Sequence, residues 1–293
     1  MSPVDAVMAA NMVEKLGGRL RPAQVHRAAT VVKELREGVQ VPLVQDLLNL
    51  RVSYTASLYK YGEQFTDALA GWLKKCFVAG SFAISPYKDQ RINSMIAVEQ
   101  KNKVRIVMNF SGPKGASFND AVDENRLEKV VKSTARQYGY SLIECGVGAR
   151  QWKWDMEDAF KNMPTALENC RLQGFTWLGA LLILTQQALG SKVAVAAYDR
   201  LGKTVADIAA ARVNFPKIWI HIKLDDLPVV VPQNTNIGHR FAVEYKAVCG
   251  TCGFKLADLC PWKVKAFEDE MVGTVLGIRF HSDSLTWSIA DDK

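Results

Sequence analysis

The chain has 293 residues, 48% of them hydrophobic and 23% charged, with a formal net charge of +7 at pH 7. This composition is ordinary for a globular protein with one large domain or two average ones. The longest apolar run, residues 177–184, has eight residues, whereas a helix that spans a bilayer needs about 20. No membrane partner is therefore expected.

The start of the chain, residues 1–11, contains an acidic residue and no apolar segment of signal-peptide length. We therefore expect an intracellular protein with reduced thiols, and the sequence does not distinguish nucleus from cytoplasm. The basic excess suits a phosphate-rich partner, because neutralising phosphates releases condensed counterions. By itself this charge balance does not identify a nucleic-acid-binding protein.

Apolar residues at helical spacing predict helices over residues 21–37 and 54–77, and Gly80 follows the second one as a stop signal. Short strands follow, because residues 95–98 and 104–110 flank a polar turn and predict a hairpin. Lys101, Lys103 and Arg105 lie at or beside its tip. In isolation such a tip is better explained as a solvated basic turn.

Further elements are predicted along the rest of the chain. They are a loop at 111–115, a helix at 127–138, a strand at 152–156, a long alanine-rich helix at 190–212, two strands within 218–231 and an apolar stretch at 275–280. The pair Asp225-Asp226 joins the two strands of 218–231, and Pro228 fits a turn exit or an edge position.

Two acidic sites belong together by their chemistry. Asp155 ends the strand at 152–156, where its side chain can project into a cleft, and the pair Asp225-Asp226 lies between apolar runs. Adjacent carboxylates in such a setting are costly unless a cation neutralises them. Two-metal phosphoryl transfer needs carboxylates from separate strands that converge on the ions. The alternative is an ordinary aspartate-rich turn on the surface.

The cysteines and histidines give no comparable pattern. Cys249 and Cys252 have the spacing of half a zinc site, but a structural zinc site needs four ligands and Cys260 is the only further sulfur nearby. We interpret the pair as small core residues near a helix end. His221 alternates with isoleucines and is interpreted as strand packing.

Several segments resemble the reverse transcriptase family. Residues 155–164 resemble its first palm motif, an aspartate, three variable residues, alanine, an aromatic residue and then proline. Residues 224–227 resemble the paired-aspartate motif, and 104–111 the fingers strand whose basic residue grips the triphosphate. Residues 189–194 resemble the glycine motif that opens the palm helix, and 276–278 the Leu-Gly turn near the primer grip. The blocks follow the family's order over roughly residues 75 to 287.

The resemblance implies an α/β (α+β) fold of the right-hand polymerase type, with fingers, a palm whose antiparallel sheet is backed by helices, and a thumb that is absent or incomplete. The expected division is an N-terminal helical region at 1–75, fingers at 76–150, and at 151–293 a palm with part of the fingers that ends near the primer grip. Residues 113–115, 171–175 and 285–287 look most like reverse transcriptases of tyrosine-recombinase-bearing (DIRS-like) retroelements.

The resemblance also assigns roles to residues. Asp155, Asp225 and Asp226, with the Met156 carbonyl, would bind two Mg²⁺ ions, and Mn²⁺ could replace them. Consecutive strand residues point to opposite faces, so Asp225 is expected to be the stronger ligand of the pair. The substrate-binding candidates are Lys101, Lys103 and Arg105 for the triphosphate, Phe160 as a gate against the 2′-hydroxyl, Gly190 and Ser191 beside nucleotide and template, and Lys265 (or Lys263) near the pyrophosphate.

Three functions follow from these observations. The first is an RNA-directed DNA polymerase of retroelement origin that uses a primed RNA or DNA template and dNTPs, with a separate RNase H or recombinase as possible partners. The second is a truncated or domesticated relative that binds nucleic acid with little or no polymerase activity. The third is an unrelated hydrolase or structural protein.

Two departures from the family pattern, Lys223 before the aspartate pair and Val195 in the glycine motif, concern the positioning of template and nucleotide.

Overall fold

The computed structural model describes residues 10–11, 14–15, 19–44, 57–78, 80, 82–100, 103–214, 218–222, 226–259 and 266–290. The chain forms two compact units. The first contains Met1–Val32, Val130–Ala159 and Tyr198–Lys293, and the second contains Lys33–Lys129 and Phe160–Ala197. Within the described ranges, no helix is both long and apolar enough to cross a membrane.

The helices are α1 (Pro22–Glu37), α2 (Ser57–Val78), α3 (Phe118–Ala121), α4 (Ala135–Cys145), α5 (Leu167–Cys170), α6 (Lys192–Val213) and α7 (Ile237–Thr251), with 3-10 turns at Glu124–Arg126, Ala159–Asn162 and Arg171–Gln173. The strands are β1 (Phe82–Ile84), β2 (Met95–Gln100), β3 (Lys103–Met108), β4 (Arg150–Asp155), β5 (Gly174–Trp177), β6 (Ala180–Leu184), β7 (Trp219–Ile220), β8 (Asp226–Val231), β9 (Phe267–Glu270), β10 (Val272–Val275), β11 (Ile278–His281) and β12 (Thr286–Ile289).

The first unit is built on a four-stranded sheet of order β7-β8-β4-β9. Each neighbouring pair is antiparallel, and the long central pair runs from Arg150 opposite Val231 to Asp155 opposite Asp226. The apolar side chains of β8 are fully buried, which is the pattern of a strand covered on both faces. The predicted antiparallel sheet in a mixed α/β fold is confirmed.

One face of this sheet packs against helix α7. The Trp154 ring lies 5.9 Å from the Phe241 ring and 5.2 Å from the Tyr245 ring. The neighbouring tryptophan on this face, Trp152, has no exposed surface and touches the backbone of Gly238 near the start of the helix. Large aromatic side chains therefore fix the distance between α7 and strand β4.

The opposite face packs against α4 and against a second sheet of order β10-β11-β12. Tyr138 is fully buried there, 5.1 Å from the Phe280 ring, and its hydroxyl donates to Gln151 Oε1 at 2.9 Å. Gln151 in turn donates to the Met271 carbonyl at 2.7 Å. The buried polar atoms on this face are thus paired with one another, as a stable interior requires.

Helix α1 contacts α6 through polar side chains. Arg27 Nη1 lies 2.6 Å from Asp207 Oδ2, and Gln24 donates to the other carboxylate oxygen at 2.8 Å. Burial raises the pKa of Asp207, although both partners act in the opposite direction. This part of α1 therefore belongs structurally to the first unit.

In the second unit, helix α2 packs on a sheet of order β1-β6-β5. Its buried side chains Phe65, Leu69 and Cys76 recur at helical spacing, and Trp72 lies 5.8 Å from the Phe175 ring of β5. Gly62 interrupts the helix with a φ of 45°. The helix predicted at 54–77 is thus confirmed from Ser57 onward, and residues 51–56 lie outside the described part of the chain.

Strands β2 and β3 form the predicted hairpin, paired from Met95 opposite Met108 to Gln100 opposite Lys103. The loop after it is held by Arg91, a fully buried guanidinium that donates to Asn93 Oδ1 at 2.8 Å and to the Ala116 carbonyl at 2.9 Å. Burial lowers the pKa of Arg91.

Two expectations about local structure are wrong. The helix predicted at 127–138 starts only at Ala135, because Thr134 and Gln137 form a reciprocal capping box that fixes the N-terminus there. The edge position considered for Pro228 is also wrong, since β8 lies between β7 and β4. The Pro228 carbonyl accepts from the His221 amide at 2.9 Å, and the β7 ladder ends at this point because proline has no amide hydrogen to return.

His221 gives the first unit a predictable response to acid. It is 8% exposed, its Nε2 lies 2.8 Å from Ser141 Oγ, and burial lowers its pKa to about 4. The unfolded chain binds this proton more tightly, so we expect stability to be complete above the unfolded pKa near 6.5 and to fall toward pH 4. The loss at about pH 4.5 should be about 2.5 kcal/mol.

The measurement is urea unfolding near neutral pH and at about pH 4.5 for the wild type and for His221→Gln, which does not titrate. The wild type should lose more stability than the variant on acidification. Equal pH dependence of the two proteins would show that His221 is not held neutral by the fold.

Candidate functional site

Two of the predicted acidic residues meet at the end of the central strand pair. Asp155 is the last residue of β4, Asp226 is the first residue of β8, and the two are directly opposite in the antiparallel register. Directly opposed residues place their side chains on the same face of a sheet, with Cβ atoms about 4.5–5.5 Å apart. Asp155 is 8% exposed. Two carboxylates, one of them buried, are therefore held on the same face of the sheet.

A buried lysine accompanies this pair. Lys153 is 5% exposed, and its Nζ lies 3.1 Å from Asp226 Oδ1. It lies two residues before Asp155 on the same strand and hence on the same face of the sheet. Lys153 was not predicted as a site residue, because a lysine inside an apolar strand carries no motif and its partner is 73 residues away in the chain.

The backbone around Asp155 is fixed by a segment that follows α7. The Ala257 amide donates to the Asp155 carbonyl at 2.8 Å, and the Glu157 amide donates to the Lys255 carbonyl at 2.9 Å. These bonds form an antiparallel bridge between Met156 and Leu256. The backbone on both sides of Met156 is therefore fixed by hydrogen bonds.

The chemistry of these groups fits a hard divalent cation. Carboxylate and carbonyl oxygens are the ligands that Mg²⁺ prefers, and two facing carboxylates gain from a shared counter-cation. Asp225, the third predicted ligand, lies outside the described residues. Without it, the described part of the chain contains no group of three or more His, Cys, Asp or Glu side chains able to hold a metal.

In the second unit, the predicted glycine motif forms a tight loop before α6. Gly190 has a φ of 104°, and a Cβ on it would lie 2.9 Å from the Met108 carbonyl oxygen. Only glycine fits a left-handed position in such close contact with backbone. Ser191 is 1% exposed, and its Oγ accepts from the Ala194 amide at 3.3 Å, so it caps the helix.

Asn119 holds this loop in place and was missed by sequence reasoning. Its Nδ2 donates to the Gly190 carbonyl at 2.8 Å and to Ser111 Oγ at 2.9 Å, and its Oδ1 accepts from the Lys192 amide at 3.0 Å. The capping box formed by Ser117 and Asp120 could have predicted the turn that carries Asn119. Its partners Gly190 and Lys192, about 70 residues away, could not have been predicted.

The remaining predicted site residues divide as follows. Arg105 is exposed on β3 opposite Val98, and Phe160 is half-buried in the 3-10 turn Ala159–Asn162. Lys103 begins β3. Like Gly190 and Ser191, these residues belong to the second unit, whereas Asp155, Met156 and Asp226 belong to the first. Lys101, Lys263 and Lys265 lie outside the described residues.

The paired cysteines lie in the core of the first unit. Cys249 is 1% exposed and Cys252 is 4% exposed, at the C-terminal end of α7. Burial raises the pKa of the Cys249 thiol to about 12. Because thiolates are the metal-binding and nucleophilic form, this environment favours the interpretation as small core residues.

Comparison with known proteins gives a likeness in structure only. No protein-family model matches the chain, and no curated protein matches it. The foamy viral protease-reverse transcriptase in complex with an RNA/DNA hybrid superimposes with a TM-score of 0.57 at 12% identity, over 97% of this chain and 36% of that one. A second structure, the foamy viral protease-reverse transcriptase dRH in complex with double-stranded DNA, gives a TM-score of 0.58 at 13% identity, over 97% and 47%.

The chain thus spans between about a third and a half of these two viral proteins. At such low identity the likeness concerns the fold alone. The expectation of a reverse-transcriptase fold, formed at first from short motifs, is confirmed at that level. This chain has a mixed α/β fold similar to that of a reverse transcriptase.

Proposed function

We propose that this chain is the fingers and palm of a reverse transcriptase, an RNA-directed DNA polymerase that adds dNTPs to a primer 3′-hydroxyl. The observation that supports the proposal is the pair Asp155 and Asp226, which face each other across the central strands of an antiparallel sheet. The likeness to the fold of a viral reverse transcriptase supports it independently. The motif-like segments make a retroelement origin, of the tyrosine-recombinase-bearing type, our specific proposal.

Asp155 and Asp226, with Asp225 and the Met156 carbonyl, would hold two Mg²⁺ ions. When bound, the ions supply an activated 3′-hydroxyl and stabilise the charge that develops on the leaving pyrophosphate. The protein would hold the ligands in position. The hydrogen bond to the Asp155 carbonyl restricts the backbone that carries two proposed ligands, the Asp155 carboxylate and the Met156 carbonyl. Mn²⁺ has the same preference for oxygen ligands and is expected to substitute.

Other predicted residues would bind the nucleotide. Arg105, with Lys101 and Lys103, would neutralise the triphosphate, and Lys265 or Lys263 would act near the pyrophosphate. Phe160 would exclude a ribose 2′-hydroxyl by its bulk. The close backbone contact at Gly190 leaves this loop free of a side chain beside the nucleotide, with Ser191 fixing the start of the helix.

The test is primer extension on a primed RNA template with Mg²⁺ and dNTPs, with activity followed across a sizing column. We expect extension that coincides with the protein peak, stops on chelation of Mg²⁺, and is much weaker with rNTPs. Salt-sensitive binding of the primed template without extension would instead favour the binding-only alternative. Neither extension nor binding would reject both proposals.

A further inference from the structure

The ion pair between Lys153 and Asp226 extends the proposed metal site by one residue. We propose that Lys153 is a positioning residue, a counter-cation within the fold that holds Asp226 until a divalent cation replaces it. The inference rests on the proposed function, because it takes Asp226 to be a metal ligand. It assigns to the lysine control over how tightly the site binds the metal.

The register of the sheet places the three charges together. Asp155 is opposite Asp226 and Lys153 is opposite Pro228, so the lysine is the diagonal neighbour of Asp226. Diagonal neighbours on one face lie about 7–8 Å apart at Cα, within reach of a long side chain. The observed separation of 3.1 Å between Lys153 Nζ and Asp226 Oδ1 is that of a direct ion pair.

Burial of a lysine at this position destabilises the protein unless nearby anions compensate its charge. The Lys153 side chain is 6% exposed, and removal of an ammonium group from water costs several kcal/mol unless anions compensate it. The carboxylates of Asp155 and Asp226 face each other, and like charges directly opposed in a sheet destabilise it unless a cation lies between them. One cation on the same face offsets both costs and keeps the carboxylates assembled.

The same arrangement makes the lysine a competitor of the metal. A divalent cation that uses Asp226 must draw its carboxylate away from Lys153 or share it with a positive charge about 3 Å away, and both weaken binding. The Asp226 side chain is 26% exposed, so it is open to solvent ions while the ammonium group behind it is not. The site is thus stable without metal and binds metal with reduced affinity.

The experiment compares the wild type with Lys153→Met by thermal unfolding during titration with MnCl₂ and, separately, MgCl₂. The variant should melt lower than the wild type in chelator, because the facing carboxylates have lost their counter-cation. Its half-saturating metal concentration should fall about tenfold or more, as expected for removal of a neighbouring positive charge at low solvent exposure. Saturating metal should narrow the difference in melting temperature.

A matched control is Lys246→Met, which removes another ion-paired lysine of the same unit, 2.6 Å from Glu268; it should leave the metal affinity unchanged. Lys153→Arg keeps the charge and should retain the weak affinity. If Lys153→Met does not fold, Lys153→Gln takes its place, since it keeps a hydrogen-bond donor without the charge.

Two results overturn the inference, and they are distinguishable. Equal metal affinity in the wild type and in the uncharged variants would make Lys153 a structural residue and leave the proposed function standing. No stabilisation by either metal in any of the proteins would reject the metal site itself, and the proposed function would fail with it.

Discussion

Substitution of Asp155 by asparagine is expected to reduce the rate of Mg²⁺-dependent primer extension about 1000-fold, equivalent to about 4 kcal/mol of transition-state stabilisation. Asparagine has nearly the same shape but supplies no negative charge to a cation. Asp155 is 8% exposed and lies opposite Asp226, so the substitution changes the charge at the proposed metal site itself. We expect Asp225→Asn to give a loss of similar size.

The free energy of unfolding of Asp155→Asn should not fall together with its activity. Without metal, the change removes one of two facing like charges, so the free energy of unfolding in chelator should be unchanged or slightly higher than in the wild type. A substitution that abolishes activity and leaves the stability unchanged or higher is characteristic of a functional residue rather than of a structural one.

The matched control is Glu157→Gln, the same chemical change two residues along the chain on an exposed side chain. Its extension rate should stay within about threefold of the wild type, because an exposed charge at a strand end contributes little. If Asp155→Asn extends primers about as well as this control does, the assignment of Asp155 to the metal site is wrong.

Several elements of the fold were predictable because their signals are local. The β2–β3 hairpin, helix α6 and the strands that carry the aspartates show strong periodicity in short windows. Helix α7 was not predicted, although its buried residues Ile237, Phe241 and Tyr245 recur every four positions. That omission was avoidable, whereas the pairing of β1 with β6 joins residues about 100 positions apart, such as Phe82 and Leu184, and has no such local signal.

The residues of the candidate site were likewise predictable only where their signal is local in the sequence. The aspartates were found because carboxylates in apolar surroundings are unusual wherever they occur. Lys153 and Asn119 were missed because their importance arises from partners that only the fold brings near, namely Asp226 and the Gly190 loop. A residue that acts by holding another residue has no motif of its own, so the register of the strands must be known first.

The largest effect on stability is expected from Gly238→Ala in helix α7. A Cβ at this position would lie 2.1 Å from Cη2 and 2.4 Å from Cζ2 of Trp152. The indole ring has no exposed surface, so it cannot move aside without a shift of strand β4. We expect a loss of about 3–5 kcal/mol in the free energy of unfolding, at the upper end for overpacked cores.

The control is in the same helix. Gly250 has no atom within 4 Å of an added Cβ and is exposed, so Gly250→Ala should be neutral or should stabilise the protein by up to about 1 kcal/mol, since alanine is the better helix former. Urea unfolding of the two variants separates the clash from the intrinsic preference of the helix. Similar effects of the two substitutions would mean that the contact with Trp152 is not as tight as described.

A double-mutant cycle with Trp152→Phe identifies the ring as the cause. The smaller ring lacks the atoms nearest to the new Cβ, and its introduction removes an indole Nε1 that has no hydrogen-bond partner among the described residues. We expect Gly238→Ala to cost at least about 1 kcal/mol less in the Trp152→Phe background, a coupling typical of residues in contact. Because Trp152 and Asp155 share strand β4, a clash that displaces the strand should also lower primer extension, and the double variant should recover part of it. Recovery of stability without recovery of extension would show that the α7 contact supports the fold but does not position Asp155.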